Sequence, residues 1–357
     1  MVTGARYETV LISRTGDLVR LLPEWWALWS RTPGATPFQS PAWLLPWWKI
    51  FHPGTLMTVA VRRDGRLVGL APFYLEDGFY GRRLLPLGIG ITDYLDVLID
   101  GAPADDVGGE FANAFGSVSG RWDVWSLEEL RPEAAARALA FGTCLNDECA
   151  QSAAPVLALP STQSEWAASR GGHRWRRAWT RVLRHDHVAI VKADNGTASG
   201  LLETVIDLHA RRWGAKGEPG VLADADVRSF HRAAVPHLLA SRLLRLFALQ
   251  WENRTVATYY GFVHRGEAYA YLNGFDPNYA FESPGTALIG HAIQDAIESG
   301  CLRFHFLRGQ EPYKYLWGAK DQWNVVRSLR SRPVHRIPSP ANEGQSLAVS
   351  DSRPLHP

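Results

Sequence analysis

Residues 268–309, AYAYLNGFDPNYAFESPGTALIGHAIQDAIESGCLRFHFLRG, constrain the fold more tightly than any other stretch of this chain. They read as strand, loop, capped helix and strand. Ser283 suits the N-cap, and Pro284 suits the first helical position, where its missing N–H would be unpaired in any case. Gly285 allows a ligand to approach the backbone closely, with Thr286 beside it. The helix carries Leu288, Ile289, Ala292, Ile293, Ala296 and Ile297 on one stripe and stops at Gly300. A helix that begins after a strand offers free N–H groups and a positive dipole end, which suit a diphosphate. An ordinary crossover helix with a good cap would look the same.

The rest of the chain repeats this plan. In the first half, Leu56–Val61 and Leu67–Tyr74 read as a hairpin turning at Asp64-Gly65. An extended run over Leu84–Ile99, a helix over Asp105–Val118 and a strand over Trp122–Leu127 follow. In the second half, Leu244–Trp251 and Thr255–His264 form a hairpin, and Arg265-Gly266 turns into Ala268–Leu272. The capped helix and the strand Leu302–Leu307 complete it. Each half is therefore an antiparallel sheet ending in a parallel pair joined by a right-handed crossover. Further helices are expected over Gln163–Arg184, Ser199–Trp213 and Asp226–Ala240. The join is placed near residue 160, giving domains at 1–160 and 161–332, and Pro333–Pro357 reads as a disordered tail.

Bulk properties narrow the function. A formal net charge of +2 argues against a general nucleic-acid coat but leaves room for a local basic patch. No apolar run is long enough to span a bilayer, and the first twenty residues lack a secretory apolar core. Three cysteines, Cys144, Cys149 and Cys301, follow no metal-ligand pattern, and the twelve histidines show no recurrent close spacing, so no metal is expected. A reduced, cytoplasmic protein is the expectation. Most of the 15 tryptophans, including Trp25-Trp26 and Trp47-Trp48, are expected in the core or lining a groove.

Five segments carry a family resemblance: PFQSPAWLLPWW at 37–48, GITDYLDVLI at 90–99, LHARRWG at 208–214, GFDPNYAFESPGTAL at 274–288 and FLRGQEPYKYLWG at 306–318. In this order the chain resembles the CelD-like acetyltransferases of the GNAT superfamily. Its two-half plan is similar to the Fem-type transferases, which move an amino acid from aminoacyl-tRNA onto a cell-wall precursor. The resemblance implies an α/β fold of two tandem GNAT-like domains. It also implies an N-acyltransferase that takes an acyl group, acetyl above all, from acyl-CoA to a small-molecule or saccharide amine, with a link to exopolysaccharide or envelope precursors. Two departures stand out. FESPGT replaces the longer Gly-rich loop of ordinary GNAT enzymes, and His305 stands where the CelD-like pattern has an acid. A Fem-type, tRNA-dependent transferase and a catalytically silent GNAT-fold protein are the alternatives.

In the GNAT manner an amine attacks a thioester directly, so the protein positions reactants, polarises a carbonyl and manages protons. Ser283, Pro284, Gly285 and Thr286 would hold the donor. The first-half helix opens among Asp100, Asp105 and Asp106, which would repel a diphosphate, so the donor belongs to the second half. Glu311 is a candidate general base and Tyr313 a candidate acid for the leaving thiolate, while Arg308 or Lys314 could bind phosphate or a substrate carboxylate. A structural Arg308–Glu311 ion pair, with Tyr313 on Trp317, is the plainer reading of the same residues. Asp276, Trp213 and Asp93 are candidate acceptor contacts; turn formation and helix packing explain the first two equally well. Arg174, Arg177, Arg181 and Arg184 lie at helical spacing with Trp175 and Trp179 between them, a solvated basic face or a surface for a polyanion.

Overall fold

The computed structural model describes residues 6–79, 81–100, 104–139, 145–215 and 217–330; the tail expected at Pro333–Pro357 and Cys144 lie outside them. Thr58–Arg63 and Arg66–Ala71 pair as a hairpin, flanked by Tyr7–Ile12 and Leu98–Ile99 in a four-stranded sheet. Asp64 and Gly65 form its turn at φ of 51° and 81°, the left-handed pair that matches the twist of a tight hairpin. The first strand lies two residues later than the expected Leu56–Val61, and the second stops at Ala71. Phe73–Gly78 belongs to a second sheet, because Pro72 has no N–H to continue the first ladder, and Thr55–Leu56 pairs with it there. The run expected over Leu84–Ile99 is also broken: Gly81–Pro86 is a strand, and Gly88 and Gly90, at φ of 94° and 92°, then turn the chain.

The second sheet has eleven strands. Their order is Ala189–Lys192, Leu244–Trp251, Arg254–His264, Glu267–Phe275, Arg303–His305, Leu145–Ala158, Lys320–Arg330, Val124–Leu130, Gly81–Pro86, Phe73–Gly78 and Thr55–Leu56. Each half supplies a hairpin leading to a parallel pair. Gly81–Pro86 pairs with Val124–Leu130 across helix Ala104–Ser117, and Glu267–Phe275 pairs with Arg303–His305 across helix Pro284–Glu298. The sheet does not break between the halves. Leu145–Ala158 pairs with Arg303–His305, and the last strand, Lys320–Arg330, returns to pair with Val124–Leu130.

Helices Ala198–Gly214 and Ala225–Ala240 lie where the periodicity places them. The helix expected over Gln163–Arg184 is two, Gln163–Ala168 and Arg170–Val182, parted at Ser169. The Ser169 hydroxyl accepts from Gly172 N–H at 3.0 Å and so starts the second helix. That basic helix lies against Pro284–Glu298 with Trp175 over Gly290, where a Cβ would stand 2.1 Å from the ring. Any larger residue at 290 would push the two helices apart.

Trp25, Trp43, Trp47 and Trp48 are buried in the largest apolar cluster, with Trp26 packed on its edge. The segments that carry the family resemblance meet beside it. Gln39 donates to the Tyr94 carbonyl at 2.6 Å, Trp43 Nε1 to Thr92 Oγ1 at 2.8 Å, and Asp93 accepts from Arg308 at 3.0 Å.

Candidate active site

The parallel strands stay paired only from Glu267↔Arg303 to Tyr269↔His305 and then part. One continues to Phe275. The other turns towards its opposite neighbour, with Phe306 N–H donating to the Pro155 carbonyl at 2.9 Å and Leu307 at φ 59°. A register shift opposite Tyr260 and Gly261 leaves Tyr271 as an extra residue, a bulge two positions before Asn273. Where the strands diverge lies a cavity of about 170 Å³, lined by Asn273, Phe275, Ser283, Pro284, Gly285, Thr286, Ile289, Tyr313 and Trp317, with Arg174 and Arg212 at its polar side. A second cavity of about 340 Å³ adjoins it through Arg174, Ser283 and Thr286, and Arg177, Ala178 and Arg181 complete its walls. No carboxylate lines either one.

Ser283 occupies the N-cap position of Pro284–Glu298, but the expected cap bond does not form. Its backbone is left-handed at φ 57°, and its hydroxyl accepts from Arg181 Nη1 at 3.0 Å instead. No side chain therefore caps the first turn, and Gly285 and Thr286, whose N–H groups have no intrahelical partner, line the cavity. A Cβ on Gly285 would stand 3.2 Å from the Phe275 ring, at the cavity wall.

The arginines around this helix start are concentrated and incompletely paired. Arg174 Nε is buried without a hydrogen bond, and its guanidinium lies 5.7 Å from the centre of the Trp317 ring. Burial, then the charges of Arg177, Arg181 and Arg170, push its pKa down. Arg212 is fixed by the Asn273 carbonyl and Oδ1, at 3.2 and 2.9 Å, and lies over Phe275. Asn273 Nδ2 reaches the Tyr313 hydroxyl at 3.4 Å. Burial pushes Tyr313 above the usual phenol range, so it is a neutral acid at pH 7.

Among the described residues the first half offers no counterpart. Asp105 and Asp106 stand in the first turn of Ala104–Ser117, and Tyr7 donates to Asp106 at 3.0 Å. That helix start is already supplied with negative charge.

Other candidates are engaged elsewhere. Arg308 lines neither cavity; its Nε and backbone N–H both donate to Asp93, and Nη1 donates to Glu129 at 3.2 Å. Two carboxylates, both in the first half, thus neutralise the cation expected to meet phosphate, and the Arg308–Glu311 pair does not form. Lys314 is buried, and its Nζ donates to the carbonyls of Leu307, Arg308 and Gly309 at 2.7–3.1 Å. Glu311 is exposed and sits 2.8 Å from that ammonium. Asp276 accepts from Asn278 N–H at 3.0 Å and starts the turn Pro277–Glu282. Trp213 packs against His209, outside both cavities. His305 is buried with Nε2 2.5 Å from Glu267 and Nδ1 3.0 Å from the Tyr94 hydroxyl, so the neighbouring strand supplies an acid beside it. Asn273 and Phe275 were not singled out in the sequence; their place immediately before the loop is the only local signal.

Residues 169–315, which hold every residue lining the two cavities except Trp317, match the family described as acetyltransferase (GNAT) domain. No curated protein matches the chain in sequence. Among solved structures it is similar to FemX, at a TM-score of 0.65 and 10% identity over 90% of this chain and 96% of that one. It is similar to L-PGS from Bacillus licheniformis, at a TM-score of 0.56 and 12% identity over 87% of this chain and 93% of that one. The C-terminal domain of a putative lysylphosphatidylglycerol synthetase from Agrobacterium fabrum gives a TM-score of 0.56 at 12% identity, over 88% and 92% of the two chains. At these identities the likeness is one of fold. The described residues thus form a mixed α/β fold, within which 169–315 match the GNAT acetyltransferase domain. Among the described residues no helix is long and apolar enough to cross a membrane, and no three His, Cys, Asp or Glu residues group to hold a metal ion.

Proposed function

We propose that this chain, with a GNAT acetyltransferase domain over residues 169–315, is an N-acyltransferase that uses acyl-CoA, acetyl-CoA above all. One observation carries the reading: an uncapped helix start, with arginines of Arg170–Val182 beside it, opens onto an aromatic cavity where two parallel strands part. The free N–H groups and guanidinium groups suit the diphosphate, and the walls of Phe275, Ile289 and Trp317 suit the thioester arm. The donor supplies a thioester carbonyl. As the new N–C bond forms and the C–S bond breaks, the amine loses a proton and the departing sulfur gains one. In this reading Tyr313, at the cavity wall, donates that proton, and backbone N–H near the bulge at Tyr271 meets the carbonyl oxygen.

In this reading residues 161–332 hold the donor and residues 1–160 shape the acceptor side. The CelD-like resemblance supports an amine on a sugar, an amino acid or an envelope-polymer precursor as acceptor, in the cytoplasm. A second reading is a Fem-type transfer from aminoacyl-tRNA. It is supported by the likeness to FemX along nearly the whole of both chains and by the arginine face of Arg170–Val182.

Thermal unfolding of the purified protein with acetyl-CoA, longer acyl-CoAs and charged tRNA separates the readings, because a ligand that binds the native state raises the melting temperature. Acetyl-CoA should stabilise the wild type and fail to stabilise Gly285→Leu, which fills the cavity wall. A response to charged tRNA alone selects the second reading. No response to any of them points to a catalytically silent binding protein.

A further inference from the structure

Two of the helices that line the cavity pack on opposite faces of the large sheet. Leu246 lies in one cluster with Leu202 and Val205 of helix Ala198–Gly214, whereas its neighbour Phe247 lies in another with Leu288 and Ile293 of helix Pro284–Glu298. Gly274 lets the first helix lie close on strand Glu267–Phe275, since a Cβ there would stand 3.1 Å from Leu208 Cβ. One turn beyond Leu208, Arg212 reaches the end of that strand and lines the cavity. The proposed donor site thus belongs to one face of the sheet, and Arg212 arrives from the other.

Arg212 is held in place but not neutralised. Its Nη1 donates to the Asn273 carbonyl and Oδ1, at 3.2 and 2.9 Å, and its guanidinium lies 5.4 Å from the centre of the Phe275 ring. Nε and Nη2 have no protein partner among the described residues, and no carboxylate lines the cavity. Asp207 on the same helix and Asp276 just past the strand pair instead with Arg211, at 2.9 and 3.5 Å. The Nε–Nη2 edge is the one with which Arg62 grips Glu24, at 3.0 and 2.8 Å, and Arg232 grips Glu203, at 2.7 and 2.8 Å. That edge matches the two oxygens of a carboxylate. Asn273 Nδ2 lies 3.4 Å from the Tyr313 hydroxyl, so a single side chain stands between this guanidinium and the proposed proton donor.

We propose that Arg212 holds the carboxylate of the acceptor, and that the acceptor is an α-amino acid. A carboxylate and an amine on one carbon bring the nitrogen towards Tyr313 and the thioester. The nitrogen bonds to the thioester carbon and loses a proton, the C–S bond breaks, and the sulfur takes up a proton. The product is an N-acyl amino acid whose carboxylate is unchanged. This rests on the acyl-CoA reading above and names the acceptor class for the same site.

Steady-state kinetics of the whole chain test it, with acetyl-CoA as donor and the L-amino acids as acceptors, each beside the amine that lacks its carboxylate. O-phosphoethanolamine and glucosamine serve as comparisons. At least one amino acid should be acetylated with kcat/KM about 50-fold above its decarboxylated amine, which leaves the guanidinium unpaired. Arg212→Ala should abolish that preference by raising KM for the amino acid about 50-fold, and Arg212→Lys should restore part of it, with KM for acetyl-CoA unchanged in both. The wild-type ratio decides even where a variant fails to fold. An equal loss for amino acid and amine in Arg212→Ala marks a structural role through Asn273 and overturns the inference. Equal or better use of the amines, O-phosphoethanolamine or glucosamine overturns it too, as does acetylation of none of them by a protein that acetyl-CoA stabilises thermally. The acyl-CoA reading stands in each of these cases. A protein that does not bind acetyl-CoA at all overturns both.

Discussion

The side chain and the backbone N–H of Arg308 both donate to one carboxylate oxygen of Asp93, at 3.0 and 3.1 Å, although 215 positions separate the two residues. Glu129 closes the arrangement from a buried, left-handed position at φ 49°, and Asn324 donates both to Glu129, at 2.8 Å, and to the Asp93 carbonyl, at 3.1 Å. Non-glycine residues persist in such conformations only where their surroundings hold them there. This cluster joins the first half to the segment after Arg303–His305, and Lys314 then gathers three carbonyls of that segment. Tyr313, the neighbour of Lys314, is thereby held at the cavity wall.

Asp93→Ala should lower unfolding free energy by roughly 2–3 kcal/mol, less than for a fully buried pair because Arg308 keeps 32% of its side chain exposed. Urea denaturation measures it. Arg308→Lys should also destabilise the protein while leaving acetyl-CoA affinity unchanged. A loss of donor affinity with unchanged stability would return Arg308 to a phosphate-binding role.

Tyr313→Phe should lower kcat roughly 100-fold with little change in KM for the donor, the signature of a lost proton donor. Glu311→Gln should leave kcat nearly unchanged and lower the melting temperature, because Glu311 pairs with buried Lys314. Steady-state kinetics on the two variants decides between them. The reverse pattern would make Glu311 the catalytic group.

Stability should fall as pH drops from 7 to 4.5. Burial holds His209 and His264 down at about 4 and His231 at about 3. In the unfolded chain the same rings take up protons near pH 6.5, so below that pH protons favour unfolding. Asp96 acts in the opposite sense, since burial raises it to about 6 and the folded state binds its proton first. Three histidines against one carboxyl leave the net slope positive with pH. A melting temperature that is flat or rising from pH 7 down to 5 would contradict this balance.

The site helix was legible in sequence because local chemistry writes it: Pro284 at the start, Gly300 at the end and a stripe of apolar residues between. The arginine face was legible for the same reason, since Arg174, Arg177 and Arg181 recur at helical spacing. Long-range partners leave no such trace. Arg308 follows a strand as a phosphate ligand would, and only the folded chain brings Asp93 and Glu129 to it. Ser283 matched the N-cap preference, yet Arg181 takes its hydroxyl. Leu145–Ala158 opens with Asn146, Asp147 and Glu148, which break any apolar alternation, so only its end near Leu157 is legible as strand, and its partner Lys320–Arg330 is not.

A crystal structure with CoA bound tests the central claim most directly. The diphosphate should lie about 3 Å from the N–H groups of Gly285 and Thr286, with Arg174 and Arg177 turned towards it. CoA bound at the first-half helix Ala104–Ser117, or anywhere away from the start of Pro284–Glu298, would contradict it.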